Sequence, residues 1–198
     1  MLRFALFIAI GSAWVAALVL VGAYAGWTFV ALQGVGVTQL SDPALTTLEP
    51  ALGVVMARYV GGQITRVPFE IVNWVSVFLP AILATLVGGI PAKCIGTEEG
   101  KRLRRWQLAA VIAIAVALLL AIMSLQSGIE LRVRSGQYWI TVGGNDAALI
   151  ATAKATLDVA HGRAESIYLS LTGLSALSTV LGGVFIARRR SIVSRILI

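Results

Sequence analysis

The chain has 198 residues, of which 58% are hydrophobic and only 13% charged. Soluble domains carry roughly 25% charge, and one soluble core does not hide this much apolar surface, so the composition points to a single integral membrane domain spanning 1–198. Its net charge of +7 does not indicate nucleic acid, because the basic clusters lack interleaved base-stacking aromatics, and its single cysteine, Cys94, excludes both a disulfide framework and a thiolate-rich metal site.

The first predicted element is an apolar span over Phe4–Val30, free of Asp, Glu, Lys, Arg and His. Arg3, the apolar run and Ala23-Tyr24-Ala25 before Gly26 imitate a cleavable signal peptide, but the run is long for a signal core, so an uncleaved span is expected. Gly22 and Gly26 form a small-residue pair of the kind that lets membrane helices approach closely. In the following long loop, Ser41 or Asp42 can cap a helix with Pro43 at its first position. Leu45, Leu48, Leu52, Val55 and Tyr59 then form an apolar stripe, predicting an extra amphipathic outer helix. Pro50 is expected to kink or restart that helix, and Gly61-Gly62 to allow a bend before the next span.

The second span is predicted over Ile71–Ile90 and the third over Trp106–Ile129, separated by a basic loop at 91–105. Each has about the 20 residues needed to cross a bilayer. In the second long loop, Tyr138-Trp139-Ile140-Thr141-Val142 and Gly143-Gly144 read as a short extended piece and a turn. Asn145 or Asp146 then caps a helix beginning at Ala147, and the absence of proline to Arg190 allows one long helix to carry through the fourth span, Ser166–Ala187. The tail, 188–198, holds Arg188, Arg189, Arg190 and Arg195 beside Ile192, Val193, Ile196 and Leu197, which suits contact with anionic lipid.

Charge sorts the connections. Ten of the sixteen basic residues lie in 1–3, 91–105 and 188–198, whereas seven of the nine acids lie in the two long loops. The positive-inside rule therefore places both termini and the 91–105 loop in the cytoplasm, as expected for a multi-pass protein of the cell's inner membrane. Trp27, Trp74 and Trp106 fall near span ends, where aromatic belts form. The predicted fold is all-α: a polytopic four-transmembrane-helix bundle with the extra outer helix.

The last span carries a polar seam. Steps of four and three from Lys154 pass through Asp158, His161, Glu165, Tyr168, Thr172, Ser175, Thr179 and Gly182, which keeps them on one helix face. Lipid cannot satisfy such a face, so it is expected to turn towards other helices or a wet cavity. The outer group, Asp158, His161 and Glu165, could supply carboxylate and imidazole ligands to a metal, or form i,i+4 ion pairs such as Lys154–Asp158 and His161–Glu165. The inner group, Tyr168 to Gly182, is expected to pack helices and hydrogen-bond across them. Glu70 and Asn73, one turn apart, could face the outer cluster.

No Asp, Glu, Lys, Arg or His lies within the spans, which argues against a proton relay or voltage sensor. The chain has no phosphate-binding glycine loop, nucleophile elbow, CxxC pair or HExxH motif, and its lone histidine excludes a bis-histidine haem. No enzyme activity and no cofactor are expected.

Around the fourth span the stretch Leu157-Asp158-Val-Ala-His161-Gly162-Arg-Ala-Glu165-Ser166-Ile-Tyr168 resembles the transmembrane protein 205-like family of four-helix membrane proteins. That family tends to show an aromatic, then His, often Gly, with Ser and a small polar residue following. Here Leu157 stands at the aromatic position, Ala164 at the serine and Tyr168 where asparagine is common. The resemblance implies a helical bundle, highlights Asp158, His161, Gly162 and Glu165, and brings no activity with it. Asn145-Asp146 before the last helix is also similar to the anthrone-oxygenase-like proteins. The expected role is interaction or assembly within the bilayer, with a protein partner or a second copy; the alternative is a facilitator or metal-handling protein using the outer cluster.

Overall fold

A computed structural model of the protein describes residues 2–34, 50–143 and 146–196. The described residues are all-helical: α1 (Leu2–Gly34), α2 (Pro50–Val87), a short 3-10 turn (Ala92–Cys94), α3 (Glu98–Gly143) and α4 (Ala147–Ile196). All four long helices are long and apolar enough to cross a membrane. α1, α3 and α4 each contain one of the charge-free segments and overrun it, whereas α2 covers the second only as far as Val87 and leaves 88–90 outside the helix. α3 has 46 residues and α4 has 50, about 69 and 75 Å at 1.5 Å per residue. A charge-free segment marks what lipid tolerates, whereas Arg, Lys, Glu and Gln are good helix formers and carry the backbone onward.

Three local expectations change. The Tyr138–Val142 stretch is not extended but lies in the last turns of α3. Local aromatic and β-branched preference is overridden there by tertiary context, since Tyr138 is buried; within the helix the Thr141 hydroxyl donates one turn back to the Gln137 carbonyl at 2.8 Å. The outer helix is not a separate element from Pro50 onward, because that stretch continues as α2 into the second span. Gly61-Gly62 makes no break in it. The proposed cap at Ser41, Asp42 and Pro43, with Leu45 and Leu48, lies outside the described residues, as does Asn145. α2 also runs through Pro68 and the buried Pro80, which leaves the carbonyl four residues before each without its usual donor.

The ends of the helices have local causes. Gly88, with φ at +67°, follows the last residue of α2, and only glycine adopts that conformation without strain. Its carbonyl accepts from Gln107 Nε2 at 2.7 Å. Thr97 caps α3, accepting from the Gly100 amide at 3.0 Å and donating to the Cys94 carbonyl at 2.9 Å. Glu98 and Glu99 occupy the first turn, where acids oppose the helix dipole. A Cβ at Gly100 would run into the Cys94 carbonyl. Asp146 caps α4, its Oδ1 accepting from the amides of Ala148 at 3.0 Å and Leu149 at 3.2 Å, as the sequence predicts.

The described chain divides into two compact units. The smaller, Ala16–Val72, holds the later part of α1 and the first part of α2. Leu18, Ala25, Thr28, Thr65 and Val72 are buried in it, and Arg66 pairs with Glu70 at 2.8 Å. An added Cβ at Gly26 would meet nothing within 4 Å, so the expected close approach does not occur there.

The larger unit holds the start of α1 to Val15 and the chain from Asn73. α3 and α4 pack along each other in it. They run antiparallel, since Glu130 meets Arg163 at one level and Trp106 meets Arg188 at another. α3 buries a stripe of small residues, Ala110, Ala113, Ala117, Ala121 and Ser124, at spacings of three and four. Small side chains let helix backbones approach closely where dispersion, not water, drives association.

Candidate functional site

The polar seam of α4 divides into two parts. Asp158, His161 and Glu165 lie on one side of the helix and all are exposed. Tyr168 and Thr172 are half-buried, and Ser175, Thr179 and Gly182 are buried. The change from exposed to buried along one face is the principal feature of the site.

The start of α1 covers the buried part. A Cβ at Gly182 would collide with the Phe7 ring, whose Cε1 and Cε2 atoms would lie 2.7 and 2.9 Å from it. A Cβ at Gly11 would lie 2.6 Å from Thr179 Cγ2, and one at Gly183 would lie 2.8 Å from Ile8 Cδ1. Phe7 is fully buried. Glycines on both helices thus allow the contact: Gly182 receives an aromatic ring, and Gly11 receives the Thr179 side chain. In α1 the residues that meet α4 in this contact are Phe7, Ile8 and Gly11. Sequence gives one signal for it, since Phe7, Gly11 and Trp14 share a helix face at spacings of four and three.

Thr172, Ser175 and Thr179 do not donate across the interface as expected. Thr172 donates to the Tyr168 carbonyl at 2.9 Å, Ser175 to Thr172 at 2.8 Å, and Thr179 to Ser175 at 2.8 Å. Ser178, just off the seam, also donates to Ser175, at 2.9 Å. Each of these four hydroxyls donates to its own helix, one turn back. Among the described residues no buried side-chain nitrogen or oxygen lacks a partner. The hydroxyls therefore contribute small volume and no unmet polarity.

Cross-helix polar bonds form elsewhere in the same unit. The indole Nε1 of Trp14, in α1, donates to Ser76 Oγ of α2 at 2.8 Å, and both residues are fully buried. Ser124 Oγ of α3 donates to Asn73 Oδ1 of α2 at 2.9 Å. Asn73 is thus engaged by α3. Trp14 gives no sign of this role in sequence, because it lies in an unbroken apolar run.

At the outer cluster, Arg163 of α4 pairs with Glu130 of α3 at 3.1 Å. Ala160 is the buried residue of this stretch of α4. Among the described residues, no group of three or more His, Cys, Asp or Glu side chains is placed to hold a metal ion. At the opposite end of α4, Arg188 stacks over the Trp106 ring with its guanidinium carbon 4.9 Å from the centroid. Compared with protein-family models, curated proteins and solved structures, the chain matches none.

Proposed function

We propose that this chain is a multi-pass protein of the cell's inner membrane, with both termini and the 91–105 loop in the cytoplasm, and that its role is assembly rather than transport or catalysis. Support for the membrane assignment comes from the apolar exterior. Leu108, Ile112, Leu119 and Met123 of α3, Leu169 and Val180 of α4, and Phe78 and Ile82 of α2 are exposed. A soluble chain does not leave such continuous apolar surface to water. Orientation rests on the concentration of arginine and lysine in the short connections.

The observation that carries the assembly role is the filling of the seam by α1. A polar face that lined a solute path would be left open along its length. Here the hydroxyls of Ser175 and Thr179 bond back to their own helix, and the glycine receives a phenylalanine. The surface offered to a partner is the outer α3–α4 hairpin. From Glu130 to Gly143, α3 continues about 20 Å beyond the third span. Ile140 is 80% exposed there, and Leu149 and Val159 are also exposed on α4. A second copy or another membrane protein would bury these residues.

Two linked experiments test this. Cys94 is buried, and Cys94→Ser gives a cysteine-free background. In it, Gly143→Cys is expected to react with an impermeant maleimide on intact cells, and Ser191→Cys only after permeabilisation; equal labelling of both refutes the orientation. A photo-crosslinking residue at Ile140 or Leu149 is expected to give a discrete adduct in native membranes. No adduct from either position refutes the assembly role.

A further inference from the structure

The antiparallel pairing of α3 and α4 brings two matching faces together at their basic end. On α3, residues 99, 102, 103 and 106 follow the i, i+3, i+4, i+7 rule for one helix face. On α4, residues 188, 191, 192 and 195 do the same. Between them lies a cleft of about 220 Å³. Arg102, Arg188 and Arg195 line it together with Trp106, Ser191 and Glu99. Leu103, buried, and Ile192, half-buried, provide its apolar wall.

Three guanidinium groups against one carboxylate leave the cleft positive. Among the described residues, neither Arg102 nor Arg195 has a carboxylate within 4.0 Å. Arg188 is stacked on Trp106, which fixes the plane of its guanidinium and leaves its N–H groups available at the edge. The neighbouring arginines have a different task. Arg189 and Arg3 approach Gly88, with Nη1 atoms 3.1 and 3.5 Å from where a Cβ would stand. There they meet the negative end of the α2 dipole.

We propose that this cleft is a phosphate site, taking the anionic phosphate oxygens of an anionic lipid headgroup or of a free phosphate. Arg102, Arg188 and Arg195 bind the anionic oxygens, the Ser191 hydroxyl donates to one of them, and Trp106, Leu103 and Ile192 meet the apolar part of a lipid. Arginine suits this task because its planar set of donors matches the oxygens of phosphate. Glu99 opposes the anion and holds the affinity down. The lipid source rests on the membrane assignment above, which puts Trp106 at the level of the headgroups.

The test uses the full chain, purified in neutral detergent and titrated at fixed ionic strength. The probes are dihexanoyl phosphatidylglycerol, dihexanoyl phosphatidylcholine and inorganic phosphate, read by calorimetry. Saturable binding of phosphatidylglycerol, with none of phosphatidylcholine, is expected. Losing one arginine is worth about fivefold, so Arg102→Gln with Arg195→Gln lowers the affinity about twenty-five-fold. Arg104→Gln with Arg105→Gln, which removes equal charge outside the cleft, lowers it less than about twofold. Glu99→Gln tightens binding. Saturation by phosphatidylglycerol alone assigns a headgroup, and saturation by phosphate with the same dependence on the variants assigns the free anion. Equal losses in the two double variants, or no saturable binding by any probe, overturn the site. Alkaline carbonate washing of the source membranes keeps the membrane assignment separate. A chain that is washed off refutes that assignment, whereas one that stays but binds no probe refutes the cleft alone.

Discussion

Alanine at Gly182 adds a single methyl group at the most crowded point of the α1–α4 contact. The new carbon would overlap the tip of the Phe7 ring, with the two flanking ring atoms 2.7 and 2.9 Å away. Carbon atoms rest at ~3.5–4.0 Å. The ring must therefore retreat by about 0.8 Å or more, away from a fully buried position with no free space of its own. Overpacking of this kind costs about 1–3 kcal/mol. In a chain of this size each kcal/mol moves the melting temperature by about 2–4 °C, so Gly182→Ala is expected to lower it in detergent by about 2–12 °C. A double-mutant cycle isolates the cause. Phe7→Ala alone is destabilising, because it empties the site. With the ring gone, Gly182→Ala has nothing to strike and is expected to cost under about 0.5 kcal/mol. Melting curves of the four proteins, followed by circular dichroism in one detergent, supply the cycle. If Gly182→Ala costs the same with and without the Phe7 ring, the two residues are not coupled and the packing account of the seam is wrong.

Two further outcomes follow from the same geometry. Trp14→Phe removes the indole N–H that reaches Ser76 and keeps most of the apolar volume, so the loss is about 0.6 kcal/mol and no more than about 1.7 kcal/mol, the mean and the maximum for hydrogen bonds between membrane helices; Ser76→Ala added to it should cost almost nothing more, and a full additive loss in the melt of the double variant would show that the bond contributes little. His161→Ala, on an exposed face, should leave the melting temperature within the change expected of about 0.5 kcal/mol, and a drop comparable with that of Gly182→Ala would place His161 in the folded framework.

Much of the fold is legible because lipid-compatible segments obey simple rules. The absence of proline after Ala147 announces the length of α4, and the Asp146 carboxylate fixes its start. Charge-free runs locate the four long helices but not their ends, since Arg102, Glu130 and Lys154 prolong helices as readily as leucine does. The Tyr138–Val142 stretch misleads because its local preference is for a strand, whereas its surroundings are already helical. The polar face of α4 is visible as a rhythm, but not its occupant. Gly11 and Phe7 become meaningful only when α1 lies against Gly182, and a glycine pair in sequence does not say which pair is used. The basic cleft is hidden for the same reason. Its two faces are ninety residues apart and unremarkable until the antiparallel pairing aligns them.

The way the seam hydroxyls are satisfied bears on how the protein is made. Because Ser175, Ser178 and Thr179 donate to carbonyls of their own helix, these three hydroxyls carry no polar debt that a neighbour must settle. In the bilayer proposed above, the fourth span can be released into lipid during synthesis, when its contact partners are not yet in place, with these hydroxyls already satisfied. Docking of Phe7 then becomes a later, reversible step rather than a condition for insertion. A substitution at Gly182 would accordingly leave the amount of inserted chain unchanged and act on its lifetime in the membrane, through exposure of an unmatched helix face to quality-control proteases.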